Sequence, residues 1–137
     1  GPYGRFNWQR AEGHRQIWIA GGIGVTPFLS MAGDLKRKNF PVEVDFFYSV
    51  QNKSEAIFVE QLVSIALSSN GRFNFTPFYS SESGFLTAEI VAKKILSVDG
   101  SRVFICGPSG MMASLREQFR TLGISNDNIY SEEFALQ

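Results

Sequence analysis

Apolar positions in this chain follow two alternating rhythms. Short runs rich in β-branched and aromatic residues occur at Gln16 to Ala20, Val42 to Val50, Phe73 to Tyr79, Arg102 to Cys106 and Ile129 to Glu132. Such runs read as strands, the first of them too short and too β-branched for a helix and therefore buried. Between them, apolar residues recur at helical spacing. After Pro27 they fall at Phe28, Leu29, Met31, Ala32 and Leu35 up to Lys38, with Pro27 placed as a first helical residue. Ala56 to Ser69 is amphipathic and stops at Asn70-Gly71, and further helices are expected near Thr87 to Val98 and from Met111 to Leu122. Thr87 offers a partial N-cap, because Glu89 lies one place short of the capping-box position that Ile90 fills. Five strands alternating with four helices predict an α/β fold built from parallel βαβ units.

Residues 1 to 15 break the rhythm. Gly1-Pro2-Tyr3-Gly4-Arg5-Phe6 is turn-forming, and the segment reads as a linker from something upstream, with one domain from 16 to 137. A composition of 44% hydrophobic and 19% charged residues suits one globular domain of this length with a core of its own. The single Cys106 and single His14 exclude a disulfide framework and a structural zinc site, and point to a reducing compartment. Thirteen basic against thirteen acidic residues, with no basic run longer than Lys36-Arg37-Lys38, argue against nucleic acid as a partner. The chain lacks an apolar run of the roughly 18 residues that cross a bilayer, so a soluble polypeptide is expected.

In an open parallel sheet the ligand crevice lies beyond the carboxyl ends of the strands. The informative segments are therefore residues 20 to 27, 49 to 55, 80 to 85, 106 to 112 and the tail from Glu132. The first, Ala20-Gly21-Gly22-Ile23-Gly24-Val25-Thr26-Pro27, is glycine-dense at a strand-to-helix junction. There glycine lets backbone approach a ligand, and a helix start offers N–H groups to a diphosphate. Pro27 replaces the third glycine of the usual dinucleotide fingerprint, and no acidic residue at the end of the second strand is ready for a ribose, so a plain tight turn explains this loop equally well. The second glycine loop, Cys106-Gly107-Pro108-Ser109-Gly110-Met111-Met112, also opens a helix; Cys106 there reads either as a thiol facing the crevice or as a small buried hydrophobe.

Together the two loops are more specific. Gly22-Ile23-Gly24-Val25-Thr26-Pro27, Cys106-Gly107-Pro108 and the terminal Glu132-Glu133-Phe134 resemble the NAD(P)H-binding domain of the ferredoxin-NADP reductase superfamily, over the whole chain. With Gly1 to Phe6, Trp18 to Phe28 and Phe47-Tyr48-Ser49-Val50, the likeness is strongest to bacterial ferric reductases. It implies an open, doubly wound, five-stranded parallel sheet in the order 3-2-1-4-5 with helices on both faces.

The resemblance also implies roles. Gly22, Ile23, Gly24, Val25, Thr26 and Pro27 would hold the nucleotide diphosphate, with Thr26 beside the nicotinamide, where the bland alternative is helix capping. Cys106 would position the nicotinamide, Glu132 would polarise the hydride-transfer site or relay a proton, and Phe134 would stack near the flavin. Gly107, Pro108 and Met111 would shape the pocket. Ser80 and Ser81 would contact the nucleotide where many NADPH-specific relatives carry a basic residue, and Glu82 beside them would repel a 2′-phosphate, which modestly favours NADH, although Lys53 after the second strand could still reach the adenosine end. FAD would be bound mainly by a separate flavin domain, since Arg-x-Tyr-Ser does not occur here, so this chain alone is not expected to turn over. The partners implied are that flavin domain and a haem-carrying membrane domain of the same parent, attached to the cytoplasmic face of the inner membrane. The other readings are a soluble oxygenase reductase with an iron–sulfur acceptor, and a non-catalytic nucleotide sensor.

Overall fold

A computed structural model describes residues 6–133. Five strands, β1 (Gln16–Gly21), β2 (Val44–Val50), β3 (Phe73–Tyr79), β4 (Arg102–Gly107) and β5 (Ile129–Glu133), form one parallel sheet in the order β3-β2-β1-β4-β5. The helices are α1 (Val25–Arg37), α2 (Val59–Leu67), a single turn α3 (Ser80–Ser83), α4 (Ala88–Ile95) and α5 (Ser109–Thr121). Alternation along each central strand feeds two cores. On one face Trp18, Phe46, Phe73 and Phe104 pack against Phe28 and Leu35 of α1 and Leu62 of α2. On the other, Ile17, Ile19, Phe47, Val103 and Ile105 meet Val91 of α4 and Leu115 and Phe119 of α5. A sheet buried on both sides reads as nearly continuous apolar strands, and all six residues of β1 are buried.

Several boundaries differ from the sequence expectation, each for a local reason. α1 begins two residues before Pro27, which a first turn tolerates because its N–H groups have no intrahelical acceptor. β2 begins at Val44 rather than Val42 because β1 supplies its first partner, Gln16, opposite Val44. The helix expected from Ala56 starts only at Val59: Phe58 adopts a left-handed conformation (φ 62°) and Ala56 is extended. The loop expected at Ser80–Gly84 contains the turn α3, closed by a bond from the Gly84 N–H to the Ser80 carbonyl. Thr87 does cap α4, accepting the Ile90 N–H at 3.1 Å, while Gln118 of α5 accepts the Ala88 N–H at 2.8 Å.

The segment before β1, expected to lack regular structure, carries a 3-10 turn at Trp8–Ala11, capped by the Asn7 side chain. It packs into the core. Phe6 meets Phe28 and Phe104 edge-on at 5.3 and 5.5 Å, and Trp8 donates its indole N–H to Asp34 Oδ2 on α1 at 2.9 Å. Gln16, wholly buried, donates to the Trp8 and Ala11 carbonyls and accepts from the Trp18 indole, which satisfies both ends of its amide.

Candidate functional site

The connection from β1 to β2 runs over one face through α1, whereas the one from β4 to β5 crosses by α5 on the other. The loops leaving β1 and β4 therefore diverge, and a crevice opens at their carboxyl ends. Glycines let these two strand ends come together. A Cβ on Gly24 would overlap the backbone of Cys106 and Gly107, and one on Gly107 would lie 3.2 Å from the Gly21 backbone. Gly22, at φ +54°, makes the left-handed turn between β1 and the helical segment and has open space around its Cα. A 3-10 turn, Gly22–Gly24, runs directly into α1, and no side chain caps either start. An uncapped helix start at a glycine turn is a site for an anionic group.

Beside it lies a cleft of about 800 Å³, within the size range of small-molecule sites. Its floor is Gly21, Gly22 and Ile23. One wall comes from α5 and the turn before it, through Pro108, Gly110, Met111, Ser114, Leu115 and Gln118, a stripe at helical spacing. The opposite wall combines the end of β2 and the turn after it (Tyr48, Val50, Gln51, Glu55, Ile57) with Ser80, Phe85, Leu86 and Thr87. Two hydrogen bonds shape this wall. Tyr48 Oη accepts the Ile57 N–H at 3.1 Å, and the Ser81 N–H donates to the Gln51 carbonyl at 2.8 Å. Burial pushes the Tyr48 phenol up, so it stays protonated at neutral pH.

Of the residues singled out from sequence, Gly22, Ile23, Ser80, Pro108 and Met111 line this cleft. Gly24, Val25 and Gly107 are buried beneath it and act through packing. Thr26 and Pro27 lie in the first turn of α1; the Thr26 hydroxyl donates to the Ile23 carbonyl at 3.2 Å and does not cap the helix, whose N-cap is Gly24. Ser81 is exposed on α3. Cys106 does not reach the cleft surface: its side chain is fully buried on the α1 face, and burial, with the nearby Glu132 carboxylate second, pushes its thiol up to about 11. It is therefore a neutral thiol. Glu132 pairs with Cys106 in the β4–β5 register and is exposed. Phe134 lies outside the described residues. Tyr48, Glu55, Ile57, Phe85 and Gln118 went unselected in the sequence. Glu55 and Phe85 do fall within the strand-end segments 49 to 55 and 80 to 85, and Gln118 lies one helical turn beyond Ser114.

An open parallel sheet with a glycine cradle at its switch point defines a nucleotide-binding α/β domain. The chain belongs to the oxidoreductase NAD-binding domain family, whose profile matches residues 18–117, within the ferredoxin-NADP reductase superfamily. Flavohemoprotein A of Dictyostelium discoideum is 30% identical over 135 residues, covering 97% of this chain and 34% of the relative. The carnitine monooxygenase reductase subunit of Escherichia coli (strain K12) is 27% identical over 124 residues, 90% of this chain and 36% of the relative. The flavohem-like FAD/NAD-binding domain of nitric oxide dioxygenase from Vibrio cholerae O1 biovar El Tor shares the fold, with a TM-score of 0.79 at 23% identity over 89% of this chain and 52% of that one. The chain spans about a third of the length of these curated relatives. NAD(P)H and FAD are the cofactors of this superfamily, the flavin held mainly by a separate domain.

Proposed function

We propose that this chain binds NAD(P)H and presents it to a flavin carried on an adjoining domain, as the nucleotide half of an NAD(P)H-dependent flavin oxidoreductase. The observation that carries the reading is the closure of the β1 and β4 ends on each other through Gly21, Gly24 and Gly107, beneath an uncapped helix start and beside a cleft of dinucleotide size. Backbone N–H groups of the Gly22–Gly24 turn hold the diphosphate. Met111, Leu115, Ile57 and Phe85 give the cleft apolar walls that exclude water from the bound nucleotide. The bound nucleotide supplies a hydride to flavin, and the protein's share is distance, orientation and dry surroundings. Buried and protonated, Cys106 acts as packing beneath the reacting end and not as a nucleophile. The exposed Glu132, on the strand beside it, is the carboxylate that faces the flavin side.

Beyond flavin, the proposal extends to a haem or ferric-iron acceptor, supported by the match to a flavohemoprotein and by the ferric-reductase likeness of the N-terminal motifs, which adds a membrane-borne haem region to the parent protein. Among the described residues no helix is long and apolar enough to cross a membrane. The match to a monooxygenase reductase subunit favours a second reading, the reductase component of an oxygenase system.

The test is titration of the chain with NADH and NADPH, followed by NMR shift mapping. Shifts concentrated at the amides of Gly21 to Thr26 and of Gly107 to Met111 are expected at millimolar nucleotide. A flat response there would sink the reading.

A further inference from the structure

We infer that Glu55 is the residue that selects the nucleotide, accepting hydrogen bonds from the adenosine ribose hydroxyls and turning away a 2′-phosphate, so that the chain uses NADH. This rests on the nucleotide reading above and adds to it a specificity and the side chain that sets it.

Glu55 is the one charged residue among the described residues that line the cleft, and no Lys or Arg stands beside it there. It ends the 3-10 turn Lys53–Glu55, five residues beyond β2, and the turn is fixed at its base by the bond from the Glu55 N–H to the Asn52 carbonyl. Its carboxylate has no ion pair and no side-chain hydrogen bond among the described residues. Both lone-pair faces are thus open to a ligand. The Tyr48 hydroxyl on the same wall accepts the Ile57 N–H, and the other polar side chains there are neutral, so Glu55 is the wall's charged acceptor. Lys53 on the same turn is exposed and does not line the cleft.

The geometry of the cleft gives this position its meaning. With a diphosphate at the Gly22–Gly24 turn, the wall formed by Tyr48, Glu55, Ile57 and Phe85 lies on the side away from β4 and β5, hence away from Cys106 and Glu132. Its apolar members suit the flat face of adenine, and a carboxylate among them suits a vicinal diol. An acidic residue after the second strand is the general solution for a ribose 2′-hydroxyl in doubly wound folds, and the same charge opposes a phosphate there. The second strand ends here without an acid, and the turn after it brings one back. The Ser81 N–H bond to Gln51 holds the α3 turn against the β2 end, so the exposed Glu82 of α3 and the exposed Lys53 of the Glu55 turn flank this rim with opposite charges, and Glu55 is the charge within the cleft itself.

The experiment measures NAD⁺ and NADP⁺ dissociation constants on this chain by NMR titration, for wild type, Glu55→Gln and Glu55→Lys. Wild type should prefer NAD⁺ by about tenfold or more, a gap that narrows with added salt. Glu55→Gln should weaken NAD⁺ several-fold and bring the ratio toward one, and Glu55→Lys should favour NADP⁺. Equal binding of the two nucleotides by wild type, or a ratio unmoved in Glu55→Gln with the spectrum otherwise intact, overturns the inference while leaving nucleotide binding standing. Absence of any shift with either nucleotide overturns both together.

Discussion

Gly24 shows how a single hydrogen in place of a methyl group decides whether the site can form. Its Cα sits so close to the β4 backbone that a Cβ would overlap the Cys106 carbonyl, and backbone cannot swing aside as a side-chain tip can. Gly24→Ala should therefore cost at least about 2 kcal/mol of stability. By contrast, Gly22→Ala has free space and loses only its left-handed conformation, roughly 1 kcal/mol. Urea denaturation midpoints of the two variants check the order; equal midpoints would contradict it. The glycine pattern was legible in the sequence, but the reason for each glycine was not, because the partner backbone of Gly24 is more than eighty residues away. The same distance explains Cys106. Its place at a strand end was visible, whereas its orientation toward the α1 face, away from the cleft, followed only from the alternation fixed by the whole strand.

Among the elements, the turn Trp8–Ala11 changes most between sequence and structure. It has no periodicity to read, being four residues long, and its stability comes from what it touches. Asp34 on α1 is the anchor: the Trp8 indole hydrogen bond is the largest influence on its carboxyl, burial comes second and opposes it, and Lys38 and then Arg37 help the indole hold it below the usual carboxylate range. Asp34→Ala should leave the indole N–H without its partner and cost about 1–2 kcal/mol. A depressed native pKa adds stability that is present above the ordinary carboxylate pKa and is lost as pH falls through the native value. Wild-type stability should thus fall in acid more steeply than that of Asp34→Ala, as read by tryptophan fluorescence during denaturation at pH 7 and at about pH 3. Parallel slopes would show that the anchor contributes nothing. The strands and long helices needed no such help, since period and length identified them. Their ends moved by two or three residues where a neighbour ran out, as at Val44, or where backbone turned left-handed, as at Phe58.

At the scale of the whole molecule, the thiol of Cys106 reports on the integrity of both the sheet and its α1 face. Burial raises it from 9.0 to about 11, so the native state keeps its proton where the unfolded chain has lost it. That contribution is fully present below about pH 9 and disappears as pH rises toward 11, on the order of 2 kcal/mol. Global stability of wild type should decline across that window more than that of Cys106→Ala, and the native thiol should resist alkylation at neutral pH; rapid labelling of folded protein would contradict the burial. By itself the sequence determined the class of fold, the strands and major helices, and the two glycine loops, because hydrophobic period and turn chemistry are local properties. Tertiary structure decided which residues share the cleft, because that depends on the strand order and on where each loop returns. It brought Glu55, Phe85 and Gln118 to one space and withdrew Cys106 from it, since a side chain's neighbours across a parallel sheet are set by register and packing between segments far apart in the chain.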